Sequence, residues 1–276
     1  MEYSLIKFAL IQIMKLKFAS WNINYRNFTS KHLDFINSTD CDVIALQECK
    51  QSFFDDLKEE KLFSFGDFSL LLRPPEAEDG KSRNLGCAIF SKHKIKTSFV
   101  VQEVAFPERT LVTQCKFGES LIQFCSFHIP PGSSWGKIKP ETFKILAKWL
   151  KAQKKPMVLG IDANAPKSDR INIAENEWWW KDEPVFLGAK PEHHLEDVFR
   201  KFLNRTPEKL EEIQKLRPDG PLAVSYIRGN KRKYTPSRYD FIYATQDIGV
   251  INVKYLYDEA IEAGSDHALV LAELEC

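Results

Sequence analysis

Short runs rich in β-branched and aromatic residues recur along the chain, with amphipathic stretches between them. Lys17 to Ile23 predicts a strand, Lys31 to Asn37 a short amphipathic helix, and Asp42 to Gln47 a buried strand. Phe53 to Leu62 predicts a helix. Four strand candidates follow, Leu85 to Ser91, Ser98 to Val104, Leu111 to Phe117 and Leu121 to His128, and Gly118 supplies turn chemistry suited to antiparallel pairing. Pro140 and Glu141 open a helix whose Phe143, Leu146, Ala147 and Leu150 fall on one face, ending before Pro156. Met157 to Ile161 predicts the next strand, and Asn164 to Leu187, which holds Trp178, Trp179 and Trp180, reads as irregular. Two helices, around Leu195 to Phe202 and Pro207 to Leu216, precede a last group of strands: Val224 to Arg228, Lys233 to Tyr234, Tyr239 to Ala244, Val250 to Tyr257 and Ala268 to Leu274. Gly229 and Asn230 make a turn between the first two of these. No linker, compositional break or solenoid repeat divides the chain, so the pattern predicts one α/β domain.

The 276 residues are 43% hydrophobic and 12% aromatic, which excludes a disordered tail or a low-complexity fibre. Lys+Arg number 39 and Asp+Glu 38, so the net charge of +1 lacks the basic excess of a non-specific DNA coat protein. A nucleic-acid partner would have to be met through local patches. Cys41, Cys49, Cys87, Cys115, Cys125 and Cys276 form no C-x-x-C pair and read as small buried hydrophobes, which points to a reducing, cytoplasmic setting and no zinc site.

The apolar run Leu5 to Met14 resembles part of a signal peptide, but Lys7 interrupts it and no basic segment precedes it. Cleavage near Ala19 and Ser20 would also cut into the first strand. Residues 1–14 are therefore expected to be an extension or a misassigned start, with 15–276 a single domain. That run is too short to span a bilayer, and no other stretch is long and apolar enough. Nothing in the sequence indicates a protein partner, and a monomer is expected.

Polar or ionisable residues end several of the strands: Asn22 and Asn24, Glu48, His128, Asp162 and Asn164, Asp240, and Ser265-Asp266-His267. Strand ends are where a rigid sheet presents side chains to a cleft, and this set offers hard oxygen ligands and two imidazoles. Singly, each has an ordinary reading. Asp162 or Asn164 could be a turn residue, Glu48 a solvated strand end, Asp266 a turn cap and His267 a half-buried histidine. His32, His93, His193 and His194 have no motif around them and read as structural.

Taken together, the residues resemble the endonuclease/exonuclease/phosphatase superfamily of pancreatic-type deoxyribonucleases, apurinic-site endonucleases, sphingomyelinases and inositol-polyphosphate phosphatases. The resemblance rests on Ser20-Trp21-Asn22, Leu46-Gln47-Glu48, His128, Gly160-Ile161-Asp162-Ala163-Asn164, Arg238-Tyr239-Asp240 and Ser265-Asp266-His267, in that order along nearly the whole chain. Residues 128–134, with Gly136-Lys137 and Glu141-Thr142-Phe143, look most like a bacterial group of that superfamily whose substrates are undefined. In two places the chain departs from the family pattern. Its aspartate stands one position later after Gly160 than usual, and no acid lies near residues 84–88 to pair with His128 as in pancreatic-type deoxyribonucleases. Apurinic-site enzymes usually have tyrosine where His128 stands.

The resemblance implies a four-layer α/β sandwich, two mostly antiparallel β-sheets flanked by helices, with the site at one end of the sheets. It implies hydrolysis of a phosphoester with Mg²⁺, or Mn²⁺ in its place. Water attacking phosphorus must lose a proton while charge grows on the phosphoryl and leaving oxygens, so base, cation and acid functions are all needed. Glu48, helped by Asn22 and Asp266, is suited to Mg²⁺, which prefers oxygen ligands. By similarity His267, oriented by Asp240, would be base or phosphate binder, and Asp162 would position or deprotonate the water. Asn164 would bind a phosphate oxygen and His128 would donate to an oxygen or act as the acid.

Candidates for substrate contact are Asn24, Arg109, Arg228, Arg232 and Arg238. Arg228, Lys231, Arg232 and Lys233 cluster at the Gly229-Asn230 turn beside Tyr226 and Tyr234, as a strip for a nucleic-acid backbone or equally as a protected sheet edge. Trp178 to Trp180 are expected in the core rather than on a stacking wall, and Lys151, Lys154 and Lys155 are expected only to complement a helix dipole. The leading expectation is a nuclease acting on DNA or RNA. The alternatives are a phosphatase or phosphodiesterase on a small-molecule or lipid phosphoester, and an inactive binding scaffold.

Overall fold

Alternation along the first strand already specifies a sandwich. In β1 (Lys15–Asn22), Leu16 and Phe18 point into one buried cluster while Ala19 and Trp21 point into another, so both faces of the strand are covered. The computed structural model describes residues 14–74, 83–118, 120–230 and 233–276. Along the chain come α1 (Ser30–Thr39), β2 (Val43–Cys49), α2 (Gln51–Glu59), β3 (Phe65–Phe68), α3 (Ser69–Leu72), β4 (Gly86–Ser91), β5 (Ile95–Phe99), β6 (Thr110–Phe117) and β7 (Ser120–His128). Then follow α4 (Gly132–Trp135), α5 (Ile138–Ala152), β8 (Met157–Asp162), α6 (Pro184–Leu187), β9 (Glu196–Asp197), α7 (Val198–Leu203) and α8 (Pro207–Leu216). The chain closes with β10 (Tyr226–Asn230), β11 (Lys233–Ser237), β12 (Asp240–Ala244), β13 (Gly249–Leu256), α9 (Tyr257–Ala263) and β14 (Leu269–Glu275).

Two six-stranded sheets result, in the orders β13-β14-β1-β2-β4-β3 and β5-β6-β7-β8-β12-β9, with β10 and β11 as a separate hairpin. Only β1–β2 and β7–β8 pair in parallel among the described strands. Between the sheets lies one apolar cluster, in which Phe18 and Phe124 stack across the gap with ring centroids 5.7 Å apart. Outside the first sheet, Phe35 and Ile36 of α1, Phe53, Phe54 and Leu57 of α2 and Ala260 of α9 form a second cluster. Outside the second sheet, Phe143, Leu146, Ala147 and Leu150 of α5 pack with Phe186 of α6. Each fully buried Leu, Ile or Phe side chain contributes about 1.5–3 kcal/mol, which is what holds the helices on the sheets. The architecture is the expected four-layer α/β sandwich.

Local differences have local causes. The strand expected at Ser98 to Val104 is instead β5, ending at Phe99; Val101 and Val104 turn into the core beneath α5. There the Val101 N–H goes to Thr110 Oγ1 at 2.8 Å rather than into a ladder. The helix expected from Leu195 begins only at Val198, because Glu196 and Asp197 pair with β12 and the Asp197 carboxylate caps the helix through the Phe199 N–H at 3.0 Å. Helix α9 and the β3–α3 pair were not anticipated. The α9 helix follows a strand without a polar break and stops at Gly264, whose φ of +112° closes the turn. Met14 and Cys276 exchange both backbone hydrogen bonds, at 3.2 and 3.0 Å, so the first sheet is closed by the two ends of the described chain. The expectation for residues 1–14 lies outside the described residues except at Met14.

Candidate active site

Several motif residues turn out to build the platform beneath the site. A Cβ at Gly160 would lie 2.4 Å from Ser20 Oγ, so only glycine lets the sheets approach here. Into that gap Gln47 Nε2 donates to Ser20 Oγ at 3.2 Å and to Ser126 Oγ at 3.0 Å, while Ser126 donates to the Leu46 carbonyl. The motifs at the two ends of the chain also interlock. Trp21 Nε1 donates to the His267 carbonyl at 3.1 Å, Ser265 Oγ donates to the Asn22 carbonyl at 2.6 Å, and the His267 N–H donates to Ser265 Oγ. Strand β8 keeps its register through Asp162, which sits opposite both His128 and Asp240. Asp162 therefore reaches the site with no bulge in β8.

On this platform the strand ends converge. Asn22 Nδ2 donates to Asp162 Oδ2 at 2.8 Å, and Asn22 Oδ1 accepts the Asn24 N–H at 2.8 Å. Glu48 is turned toward the cleft by an extra residue in β2 between Leu46 and Cys49, and it adopts a left-handed φ of +52°. His128 Nε2 lies 3.4 Å from Glu48 Oε1 and 3.7 Å from Asp162 Oδ2. Asp162 Oδ1 accepts the Asn164 N–H at 2.9 Å, which holds Asn164 at a φ of +49°. His267 Nδ1 donates to Asp240 Oδ2 at 2.9 Å. Ligand-type atoms of Glu48, His128 and Asp162 all lie within 4.8 Å of one another, as do those of Asp162, Asp240 and His267.

So many buried charges shift one another. Burial pushes Asp162 up to about 7, with Asp240 and Glu48 adding to the rise and His267 opposing it. Burial likewise raises Glu48, partly offset by His267, Asn22 and Arg109. Burial lowers His128 well below the ordinary imidazole value, and Arg109 and His267 lower it further. Burial would lower His267 too, but Asp240, Asp162 and Asp266 outweigh it and raise this imidazole to about 10.

Above these groups opens a cleft of about 650 Å³, lined among others by Asn24, Glu48, Asn164, Arg228, Asp266 and His267. Its wall is aromatic. Trp179 is 46% exposed, with the Arg228 guanidinium 5.0 Å from its ring centre, and Trp180, Tyr25 and Tyr226 also line the cleft. Tyr226 stacks on His267 with centroids 4.7 Å apart. Two of the three tryptophans expected in the core thus face the cleft, and only Trp178 packs against the core cluster. The reason is the fold of the irregular segment, which is held by Glu183: its carboxylate takes the Trp179 N–H at 2.9 Å and pairs with Lys139 at 2.8 Å. Lys139 also donates to the Asn164 carbonyl at 2.7 Å, tying the aromatic wall to the cleft floor. No sequence motif marked this buried pair.

Three substrate-contact candidates fare differently. Arg238 is fully buried behind the site, 2.7 Å from Asp197 Oδ1 and 3.8 Å from Asp169, and reaches no cleft. Arg109 is buried under His128 rather than lining the cleft, with one guanidinium nitrogen 3.1 Å from His128 Nδ1. Arg232 lies outside the described residues.

A model of the Endonuclease/Exonuclease/phosphatase family matches residues 19–267. The chain belongs to this family. No curated protein sequence matches it. Among solved structures it is similar to a zebrafish (D. rerio) TDP2 complexed with a single-strand DNA product, at 13% identity over 94% of this chain and 98% of that one, with a TM-score of 0.65. It is also similar to the endonuclease domain of TRAS1, a telomere-specific non-LTR retrotransposon, at 13% identity over 94% and 98% with a TM-score of 0.58. A family protein from Beutenbergia cavernae shows 16% identity over 94% of this chain and 71% of that one, with a TM-score of 0.59. These likenesses establish the fold, and the family marks the chain as a phosphoesterase of nuclease or phosphatase type. No helix among the described residues is long and apolar enough to cross a membrane.

The residues fit a hard divalent cation. Asp266 Oδ1 is buried without a hydrogen-bond partner beside Glu48, whose carboxylate opens on the same cleft. Asn22 Oδ1 is a further oxygen donor, so these side chains offer the oxygen atoms that Mg²⁺ prefers.

Proposed function

We propose that the protein is a Mg²⁺-dependent phosphodiesterase that cuts DNA or RNA by attack of water at phosphorus. What carries this reading is the convergence of Glu48, His128, Asp162, Asp240 and His267 on one cleft floor beside a cation-capped aromatic wall. Glu48, Asp266 and Asn22 would hold the Mg²⁺. When bound, the ion would stabilise charge on the phosphoryl and leaving oxygens. Asp162 takes the proton of the attacking water, and a proton affinity raised into the neutral range suits it to that task. His267, kept cationic by Asp240, binds a non-bridging oxygen rather than acting as base. Asn164 contacts the phosphate from the cleft floor, and Trp179, Tyr226 and Arg228 offer base-stacking faces and a backbone cation. The single-strand DNA product in complex with the structurally similar zebrafish TDP2 supports the choice of nucleic acid as substrate. Five of the six free cysteines are buried, which suits a reducing, cytoplasmic setting.

The test is hydrolysis of plasmid DNA, single-stranded RNA, bis-p-nitrophenyl phosphate and p-nitrophenyl phosphate by wild type and His267→Ala, with Mg²⁺ or EDTA. Metal-dependent cutting of nucleic acid that weakens with salt and vanishes in the variant is expected. Hydrolysis of a small ester alone, insensitive to salt, would overturn the nuclease reading in favour of a small phosphoester.

A further inference from the structure

We propose that the buried pair of Lys139 and Glu183 sets specificity: as positioning residues they seat the Trp179 and Trp180 wall at a fixed place over the cleft floor, so that a phosphodiester bearing a nucleobase is preferred to one without. The inference rests on the nucleic-acid reading proposed above. Lys139 enters from the start of α5 and is 1% exposed, and Glu183, one residue before α6, is fully buried. Taking both charges out of water is expensive, and apolar side chains of similar volume often serve stability as well. What distinguishes the pair is where its bonds go. Lys139 Nζ lies 2.8 Å from Glu183 Oε1 and donates to the Asn164 carbonyl at 2.7 Å, while Glu183 Oε2 accepts the Trp179 N–H at 2.9 Å. The Glu183 N–H returns to the Trp180 carbonyl at 3.1 Å. Apart from the ion pair itself, each of these bonds ends on the wall or on the floor. Trp180 is also held from another side. A Cβ at Gly132 would stand 2.8 Å from Trp180 Nε1 and 3.3 Å from Lys139 Cδ, so the indole and the lysine stem pack against the same glycine.

The floor has supports of its own. The Asn164 N–H donates to Asp162 Oδ1 at 2.9 Å, and Asn164 Nδ2 donates to the Ile129 carbonyl at 3.0 Å. Neither bond involves Lys139 or Glu183, so loss of the pair frees the wall before it disturbs the phosphate end of the cleft. Trp179 is 46% exposed, with the cations of Arg228 and Lys167 at 5.0 and 5.9 Å from its ring centre. On a loose loop, such an indole would have to be ordered by each ligand that stacks on it. Held beforehand through its own backbone N–H, it gives the whole of its stacking to the base. The distance between wall and floor is thereby fixed, and a base and its phosphate are gripped together.

Hydrogen exchange of the full-length protein, followed by ¹⁵N–¹H NMR, tests the seat without any substitution. The Trp179 amide should be protected although its ring is exposed, and exchange at the rate of an open loop would overturn the proposal. Preference is read by fluorescence anisotropy in EDTA at fixed salt, with a short thymidine oligonucleotide and an abasic strand of the same length carrying the same label. Wild type should bind the base-bearing strand about 5–150-fold more tightly, the equivalent of one stacked base. Lys139→Met/Glu183→Leu removes both charges together, and there the ratio should fall to about threefold or less, with protection of the Trp179 amide lost. A folded double variant that keeps the wild-type ratio, or that weakens both strands by the same factor, would overturn the positioning role. A wild-type ratio near one would overturn the preference itself. A wild type that hydrolyses no phosphodiester yet shows the protected amide and the ratio defeats the proposed hydrolysis alone, because neither measurement needs turnover.

Discussion

The two ends of the sandwich make a useful contrast. At one end lies the cleft of about 650 Å³; at the other, beyond the start of β8, is a hollow of about 530 Å³ lined by Lys151, Lys154, Lys155, Glu192, His194 and Asp247. Both are rich in charge, but Lys151, Lys154, Lys155 and His194 are exposed, whereas Asn22, His128, Asp162, Asp240 and His267 are buried. Water screens the first set and costs the fold nothing. The second set is desolvated, so its members shift one another's proton affinities and persist only because each is tied to several neighbours. Charge alone does not separate the two hollows; buried, convergent and mutually restrained polar groups do.

The largest expected break in this contrast is chemical. Asp162→Asn should lower kcat by roughly 10³-fold, about 4 kcal/mol in the barrier, measured as Mg²⁺-dependent hydrolysis beside a thermal melt showing a folded protein. A change below tenfold would remove Asp162 from the proposed mechanism.

Next in size is a pH effect beneath the far end. His193 is buried, with its Nε2 donating to the Phe186 carbonyl at 3.0 Å, and burial pushes it down from 6.5 to about 4. The unfolded chain therefore binds this proton more readily. Its contribution is complete above pH 6.5 and is lost as pH falls toward 4, a drop of about 3 kcal/mol that should show in the wild-type minus His193→Gln difference in denaturant unfolding. A flat difference curve would place the imidazole in water.

Metal should sharpen the contrast from the other side. At about a hundred times its dissociation constant, Mg²⁺ should stabilise the wild type by about 2.7 kcal/mol, with no gain in Glu48→Gln, as read by thermal unfolding in EDTA against Mg²⁺. Trp179→Ala should weaken single-stranded DNA binding by about 1–3 kcal/mol in a fluorescence titration at fixed salt. The smallest effect belongs to the solvated end. Replacing Lys151, Lys154 and Lys155 together by Ala should leave activity unchanged and stability within about 0.5 kcal/mol per site.

Residue type and order made the cleft floor legible. Asn22, His128 and Asp162 end strands, Glu48 stands one place before the end of β2, Asp240 opens β12 and His267 lies just before β14, and the family resemblance supplied their grouping before any geometry did. Strand-end position also misled. Arg238 stands two places before Asp240, yet its partners Asp197 and Asp169 lie far back in the chain, so local sequence held no sign that it would be buried among them. The same distance hid Arg109, whose partner is reached only through the β6–β7 register. Trp179 and Trp180 escape a sequence reading because three adjacent tryptophans look alike, while their separation into core and cleft depends on Glu183 and Lys139 fixing the segment. Helix α9 was readable after the fact: Asp258, Glu259, Ala260, Glu262 and Ala263 favour helix, and Gly264 ends it.

The pairing of β1 with β14, from Lys15 opposite Glu275 to Ser20 opposite Val270, ties the cleft to one of the longest-range contacts in the fold. Asn22 and His267 stand far apart in sequence and are brought together by this ladder. With the ladder open, β1 keeps only β2 beside it, and Asp240 loses the imidazole it restrains. Peeling β14 away would therefore leave the second sheet whole and the cleft floor dismantled, so the cleft is only as durable as that one strand's hold on β1.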